Sequence, residues 1–368
     1  MTNTKKILCL IDTIHYGGGA ERQMIGLAKL LHERGYQVDL FTYHNQDAYD
    51  EIYQNSNIRI NSIQVKDNRL SKLMAVKRHI ASMGGYDWVI AYKDGPAIIG
   101  CLLKLLGGNF RLIVSERNTN QQITKHDKIK FFLYRLADYV VPNSHAQADF
   151  IEHNFPKLID KVVTITNFTD TLHFSPINSY HNNKLTILTV ARIASQKNIL
   201  NYLSAISLLK QENFANRISF KWVGNIQPGE ESYGEECFKK REELGIQDIM
   251  EFYPAQKDIV NQYQMCDIFC LPSNYEGFPN VVCEAMSCGK PIVCSRVCDN
   301  SQIVQENVNG LLFDPSNVNS IYTTLKRIIE MPQAELYQWG KNSRTISEGL
   351  FSTSTFVQKY IDLIESEI

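Results

Sequence analysis

The sequence has no excess of charge of either sign: across 368 residues, 38 lysines and arginines face 39 aspartates and glutamates. A general nucleic-acid binder needs a basic surplus to neutralise phosphates, so that class is disfavoured and any anion site must be local. Cysteine occurs nine times, an odd number scattered along a large chain, which argues against a disulfide scaffold. Cys283, Cys288, Cys294 and Cys298 are separated by four, five and three residues, spacings that match no zinc signature. They read as buried thiols near strand and helix ends, in a reducing compartment. No apolar run approaches the roughly 20 residues of a membrane span. The most apolar later stretch, 97–106, is far shorter and contains Lys104. The run 7–11 is stopped by Asp12 with no small-residue cleavage site after it, so it reads as a strand and not a signal peptide. The expected location is cytoplasmic.

What is present is an alternation of short apolar runs and amphipathic segments. Residues 6–11 read as a buried strand, 20–34 as a helix with Met24, Leu27, Ala28 and Leu31 on one face, and 38–43 as a second strand. Gly35 sits where a helix C′ glycine belongs. Strands follow at 88–91, 112–114, 139–141 and 162–165. A polar, turn-rich stretch at 173–183 then marks a linker. The pattern restarts with strands at 185–190, 219–223, 251–253, 268–271, 291–294 and 310–313, helices at 198–209 and 280–287, and a terminal helix at 355–366. Strand–helix alternation implies parallel sheets with crossover helices. The expected fold is therefore α/β, with two Rossmann-like domains facing across a cleft. Residues 1–175 are expected to form the first domain, 184–350 the second, and 351–368 a C-terminal helix packing back toward the first. Open parallel sheets bind ligands at the carboxyl ends of their strands.

Three motifs lie at such ends. Gly17-Gly18-Gly19-Ala20-Glu21-Arg22 joins the first strand to the first helix, where glycine permits close backbone approach and a helix N-terminus attracts phosphate. It is neither G-x-G-x-x-G nor a Walker loop, and the absence of the former disfavours a nicotinamide dehydrogenase. The same residues also suit a tight turn without a ligand. Arg192 and Lys197, five residues apart after the first strand of the second half, can converge on one anion or be ordinary surface cations. The segment 272–286 places Glu276 in a loop and Glu284 about one turn into a mostly apolar helix entered through Gly277, Phe278, Pro279 and Asn280. A carboxylate accepts paired sugar hydroxyls, and an unpartnered glutamate in such a helix would be costly, which favours a ligand-facing role for Glu284.

With Thr166-Asn167-Phe168 before Phe174-Ser175-Pro176, and with Glu306-Asn307-Val308-Asn309-Gly310-Leu311-Leu312-Phe313, these motifs resemble the family 4 glycosyltransferases of GT-B architecture over nearly the full length. The resemblance implies a retaining transferase that moves a hexose or N-acetylhexosamine from a nucleotide-sugar, most often a UDP-sugar, to a lipid-linked glycan acceptor in cell-surface polysaccharide biosynthesis. It implies no metal and no cofactor beyond the donor. Arg192, Lys197 and Glu276 would be catalytic, the cations stabilising the departing diphosphate and Glu276 holding the transferred sugar. Glu284 would bind the ribose. Gly277, Phe278, Pro279 and Asn280 would present backbone to the donor, with Gly18 and Gly19 closing on it. The sequence departs from the family in two places. Glu116, Arg117 and Asn118 stand where many relatives carry a histidine and are candidate acceptor-side residues, Glu116 and Arg117 otherwise forming a local ion pair. Cys298-Asp299-Asn300-Ser301-Gln302 replaces a Gly-Gly-x-x-Glu segment. Lys93 and Asp94 end a strand and either touch acceptor or are solvated. The segment 125–135, mixing cations with aromatics, either rests on the inner face of an anionic membrane or packs on the first sheet. Trp222 reads as core. A UDP-sugar epimerase of the same architecture and a non-catalytic partner subunit are the competing readings.

Overall fold

A computed structural model describes residues 4–14, 19–44, 58–118, 120, 122–177, 184–212 and 214–366. The chain divides into two compact units, one of Met1–Phe168 with Thr353–Ile368, the other of Thr169–Ser352.

In the first unit the elements run β1 (Lys6–Leu10), α1 (Gly19–Glu33), β2 (Gln37–Thr42), β3 (Arg59–Ser62), α2 (Arg69–Ser82), β4 (Trp88–Tyr92), α3 (Asp94–Leu105), β5 (Arg111–Glu116), α4 (Lys125–Leu133), β6 (Tyr139–Pro142) and α5 (His145–Asn154). The second holds β7 (Leu185–Val190), α6 (Ile199–Gln211), β8 (Ile218–Val223), α7 (Glu231–Glu243), β9 (Met250–Tyr253), α8 (Val260–Met265), β10 (Ile268–Leu271), α9 (Asn280–Ser287), β11 (Ile292–Ser295), α10 (Asn300–Ile303), β12 (Gly310–Phe313), α11 (Val318–Ile329) and α12 (Gln333–Phe351). Helix α13 (Thr353–Glu365) returns to the first unit.

The strands are short apolar runs because both faces of each sheet are covered. Alternate residues of β1 go opposite ways. Ile7 and Cys9 pack with Met24 and Leu27 of α1 and with Phe356 and Tyr360 of α13, whereas Leu8 and Leu10 pack with Ala97 and Ile99 of α3. Each sheet has six strands, in the orders β3-β2-β1-β4-β5-β6 and β12-β11-β10-β7-β8-β9, and every pairing is parallel. Counted from its own first strand, each sheet has the doubly wound order 3-2-1-4-5-6. The direction of winding reverses between β1 and β4 and again between β7 and β10, and such switch points open the crevices that hold ligands.

Three expectations change. Residues 162–165 form no strand: Val162 makes an isolated bridge to Val140, and the chain then follows β6 through Val163 and Ile165 N–H bonds without extending the ladder. The boundary falls at Phe168 and Thr169, ahead of the polar stretch 173–183, most of which lies outside the described residues. The cause is hydrogen bonding. The Thr169 N–H donates to Phe351 O (2.7 Å), Phe174 is buried in the second core, and Arg344 Nη1 donates to Thr171 O, Phe174 O and Ser287 O at 2.8, 2.8 and 2.7 Å. The terminal helix begins at Thr353, two residues before the expected Thr355.

Replacing Arg344 by Ala removes the donor shared by three carbonyls. We expect a loss of about 2–4 kcal/mol in the stability of the second unit, measured by urea unfolding; a loss within about 0.5 kcal/mol would show that solvent replaces these bonds.

Candidate functional site

The site in the second unit is assembled at its switch point. The loop after β7 carries Arg192 and ends in a single 3-10 turn, Ser195–Lys197, closed by Asn198 in the left-handed conformation (φ 57°). It is fastened on both sides. Toward β8, the Ile193 N–H donates to Asn225 O (2.9 Å) and Ser195 Oγ donates to Glu230 (2.9 Å). Gly224 allows this closeness, since a Cβ there would lie 2.0 Å from Ala191 O. Toward β10, the Asn274 N–H donates to Gln196 O (2.8 Å) and Gln196 Nε2 donates to Tyr275 O (2.8 Å).

This lacing brings Lys197 to Glu276. The ammonium lies 2.6 Å from Glu276 Oε1, and both residues are buried. Ser273 Oγ donates to the same oxygen at 2.5 Å. Both bonds fall on Oε1, which leaves Oε2 to accept from a ligand. The Glu276 N–H donates to Cys298 Sγ (3.5 Å). Arg192 is exposed on the same loop and, among the described residues, forms no ion pair. One cation is thus used to hold a carboxylate, and the other stands in solvent beside it along the chain.

Glu284 is buried, five residues into α9, and its Oε2 accepts from Tyr263 Oη of α8 at 2.8 Å. Helix α9 starts at Asn280, with Pro279 at its cap position and no side-chain cap bond. Phe278 turns into the core against Phe351, ring centroids 5.8 Å apart, so at this residue the backbone and not the ring is available to a ligand. Trp222 is core: it is fully buried and its indole N–H donates to Ala191 O (2.8 Å).

The departure at 298–302 has a structural form. Cys298 adopts φ 46°, a left-handed conformation that favours glycine. Its thiol is half-buried, and burial raises its pKa. Cys283, Cys288 and Cys294 are free and buried, as their spacing suggested. Among the described residues no three His, Cys, Asp or Glu side chains group as metal ligands would.

In the first unit Gly19 opens α1, while Gly17 and Gly18 lie outside the described residues. Glu116 and Arg117 are not an ion pair with each other. Glu116 is buried against Lys130 Nζ (2.7 Å) and Tyr134 Oη (2.5 Å), where burial raises its pKa against the opposing pull of Lys130. Arg117 stacks on the Tyr92 ring at 4.1 Å and donates to Ser115 Oγ (3.2 Å) and Asn167 Oδ1 (2.6 Å). Glu116 is the last residue of β5 and Arg117 the first beyond it, and each is taken up by a different set of partners. Asn118 is exposed. Lys93 is not solvated: its ammonium lies 3.1 Å from Asp12 and 2.5 Å from Glu21. Asp94 is half-exposed and accepts from Lys130 at 3.3 Å. The partners Tyr263, Lys130 and Asn167 gave no local signal, being 21, 14 and 50 residues from the groups they hold. Ser273, three residues from Glu276, and Ser115, two from Arg117, are the partners close enough in sequence for a local signal.

Comparison with known proteins agrees with this fold. The Glycosyltransferase Family 4 model matches residues 17–172, and the Glycosyl transferases group 1 model matches 173–346. An uncharacterized glycosyltransferase of Haemophilus influenzae is 27% identical over 351 residues, covering 94% of this chain and 96% of its own length. The N-acetylgalactosamine-N,N'-diacetylbacillosaminyl-diphospho-undecaprenol 4-alpha-N-acetylgalactosaminyltransferase of Campylobacter jejuni is 22% identical over 332 residues, covering 85% and 87%. The crystal structure of Anabaena Alr3699/HepE in complex with UDP superposes with a TM-score of 0.85 at 20% identity, covering 98% of this chain and 100% of that one. A chain whose two halves carry these two models in this order belongs to the family 4 glycosyltransferases, GT-B enzymes that transfer a sugar to an acceptor.

Proposed function

We propose that this glycosyltransferase moves a hexose or N-acetylhexosamine from a UDP-sugar to a lipid-linked glycan, with retention at the anomeric carbon and without a metal. The observation that carries the proposal is the buried Lys197–Glu276 pair, with Arg192 exposed on the same loop. An ammonium has three donor hydrogens, and Glu276 takes one. The others, with the Arg192 guanidinium, supply positive charge for a diphosphate whose negative charge grows as it leaves. Glu276 Oε2 receives hydroxyls of the transferred sugar, and Glu284, steadied by Tyr263, receives those of the ribose. In the step itself the bond from the anomeric carbon to the diphosphate oxygen breaks. The acceptor oxygen bonds that carbon on the same face, and its proton passes to the departing diphosphate. UDP as the nucleotide is supported by the complex of the similar Anabaena protein. A diphospho-polyprenol acceptor is supported by the Campylobacter jejuni transferase.

Such an acceptor lies in a membrane, and among the described residues no helix is long and apolar enough to cross one. Helix α4 offers a different contact. Its buried face, with Phe131 and Lys130, packs on the first sheet. Its outer face exposes Lys125, Lys128, Ile129 and Phe132, the last two 63% exposed, with Arg135 lying over the Phe132 ring at 5.4 Å. Apolar side chains flanked by cations suit an anionic bilayer surface.

Calorimetric titration with UDP, GDP, ADP and NAD, without metal, tests the donor site. UDP selectivity is expected, with Glu284→Ala weakening binding about ten- to a hundredfold through lost charge-assisted hydrogen bonds. Selectivity for GDP or ADP would change the donor, and no nucleotide binding would favour the non-catalytic reading. In steady-state assays Lys197→Ala should lower kcat about a hundredfold or more with a smaller effect on donor KM; an unchanged kcat would remove Lys197 from the chemistry. Co-sedimentation with phosphatidylglycerol vesicles should fall at least tenfold, on the order of the burial lost, in the double variant Ile129→Asp, Phe132→Asp. Equal sedimentation of variant and wild type would exclude this helix as the contact.

A further inference from the structure

The first sheet has its own switch point, between β1 and β4, and an ion pair sits there as one does in the second sheet. The polarity is reversed. In the second unit the cation follows the first strand (Lys197 after β7) and the carboxylate follows the fourth (Glu276 after β10). In the first unit the carboxylate follows the first strand (Asp12 after β1) and the cation follows the fourth (Lys93 after β4), Nζ to Oδ1 3.1 Å.

Three observations set the pair apart from a stabilising surface contact. Lys93 is held at φ 71°, ψ 164°, a region open in practice only to glycine, and strain of this kind gathers at functional sites. The Asp12 side chain remains 32% exposed, and an ion pair with an exposed partner returns little stability. The next residue, Thr13, is 7% exposed with its hydroxyl lacking any hydrogen-bond partner; orphaned buried hydroxyls are uncommon in folded proteins. The surroundings hold this arrangement in place. The Thr13 N–H donates to Asp12 Oδ1 (2.8 Å), the Lys93 N–H donates to Ser115 O (3.2 Å), and Lys93 Nζ is anchored from below by buried Glu21 of α1 at 2.5 Å. Glu21 and Asp12 outweigh the effect of burial and keep the ammonium above its ordinary pKa.

We propose that Asp12 is the acceptor-sugar receptor of the first unit, accepting hydrogen bonds from hydroxyls of the acceptor, with Lys93 as the positioning residue that aims it. Lys93 and Thr13 N–H both fall on Oδ1, which leaves Oδ2 to accept from a ligand, as Oε2 of Glu276 is left in the second unit. The ligand class is a polyhydroxylated sugar. This site rests on the glycosyltransfer reading above.

The test uses the full chain with UDP-sugar and decyl diphosphate-linked N-acetylglucosamine, N-acetylgalactosamine and galactose as acceptor probes. Asp12→Asn keeps the shape of the side chain and the Oδ1 contact with Thr13. It should raise the KM for the transferred-to probe at least tenfold while UDP affinity by calorimetry stays within twofold, and Asp12→Glu should recover part of the loss. Glu21→Gln, which loosens the anchor behind Lys93, should lower the melting temperature and move acceptor KM less than Asp12→Asn does. An acceptor KM unchanged in Asp12→Asn, in a wild type that transfers sugar, overturns the receptor site alone. A wild type that binds none of UDP, GDP and ADP, or that with the sugar donor of the nucleotide it binds transfers to none of the probes, overturns the glycosyltransfer reading and the site with it.

Discussion

The buried ion pair between Lys197 and Glu276 is the interaction on which the second unit's site depends. Neither charge is stable in a protein interior by itself, because each loses its hydration. Together, with Ser273 Oγ on the same carboxylate oxygen, they satisfy each other and fix where the remaining donors and the free oxygen point. The pair closes only because two loops, 79 residues apart in sequence, leave neighbouring strands at the point where the sheet reverses its winding. The rest of the local structure serves that closure: Gly224 lets one loop approach another, Asn198 turns the chain into α6, and Gln196 and Asn274 tie the loops edge to edge.

The same rule of construction appears in both sheets. A doubly wound sheet has one crevice, and charged side chains placed there are held by strand ends rather than by flexible surface loops. The second unit completes its pair with a buried carboxylate, the first with a half-exposed one. Tyrosines support other charged groups of the two units: Tyr263 behind Glu284, Tyr92 beneath Arg117, and Tyr360 of α13 bonded to Tyr92 at 2.9 Å. The last of these links the end of the chain to the arginine after β5. The return of α13 to the first unit is therefore part of that region's polar framework as well as of its core.

Most elements were legible because a parallel sheet covered on both faces needs uninterrupted apolar strands, and its crossover helices need one apolar stripe. Strand β10 and helix α9 have the bounds read from the sequence, and α1 differs by one residue at each end. The strand expected at 162–165 shows the limit of that signal. Val162, Val163 and Ile165 have the right composition, but the chain there is already leaving the sheet edge. Edge strand β3, Arg59–Ser62, has no fully buried residue in its pattern and was correspondingly silent.

The residue types of the site were also in the sequence: two cations after one strand, two glutamates eight residues apart around a Gly-Phe-Pro turn, and an acidic and a basic residue after β1 and β4. The sequence by itself determined two α/β halves, the strand ends that carry charge, and the family to which those motifs belong. Only the tertiary structure decided which charges meet. Lys197 closes on Glu276 rather than standing beside Arg192, Glu116 turns to Lys130 rather than Arg117, and Lys93 reaches Asp12 and Glu21 rather than solvent. The physical reason is that strand composition is set by local burial, which leaves a periodic trace along the chain. Ion-pair partners are set by how strands and helices are ordered in space, which brings together residues 14 to 81 positions apart and leaves no trace at either one.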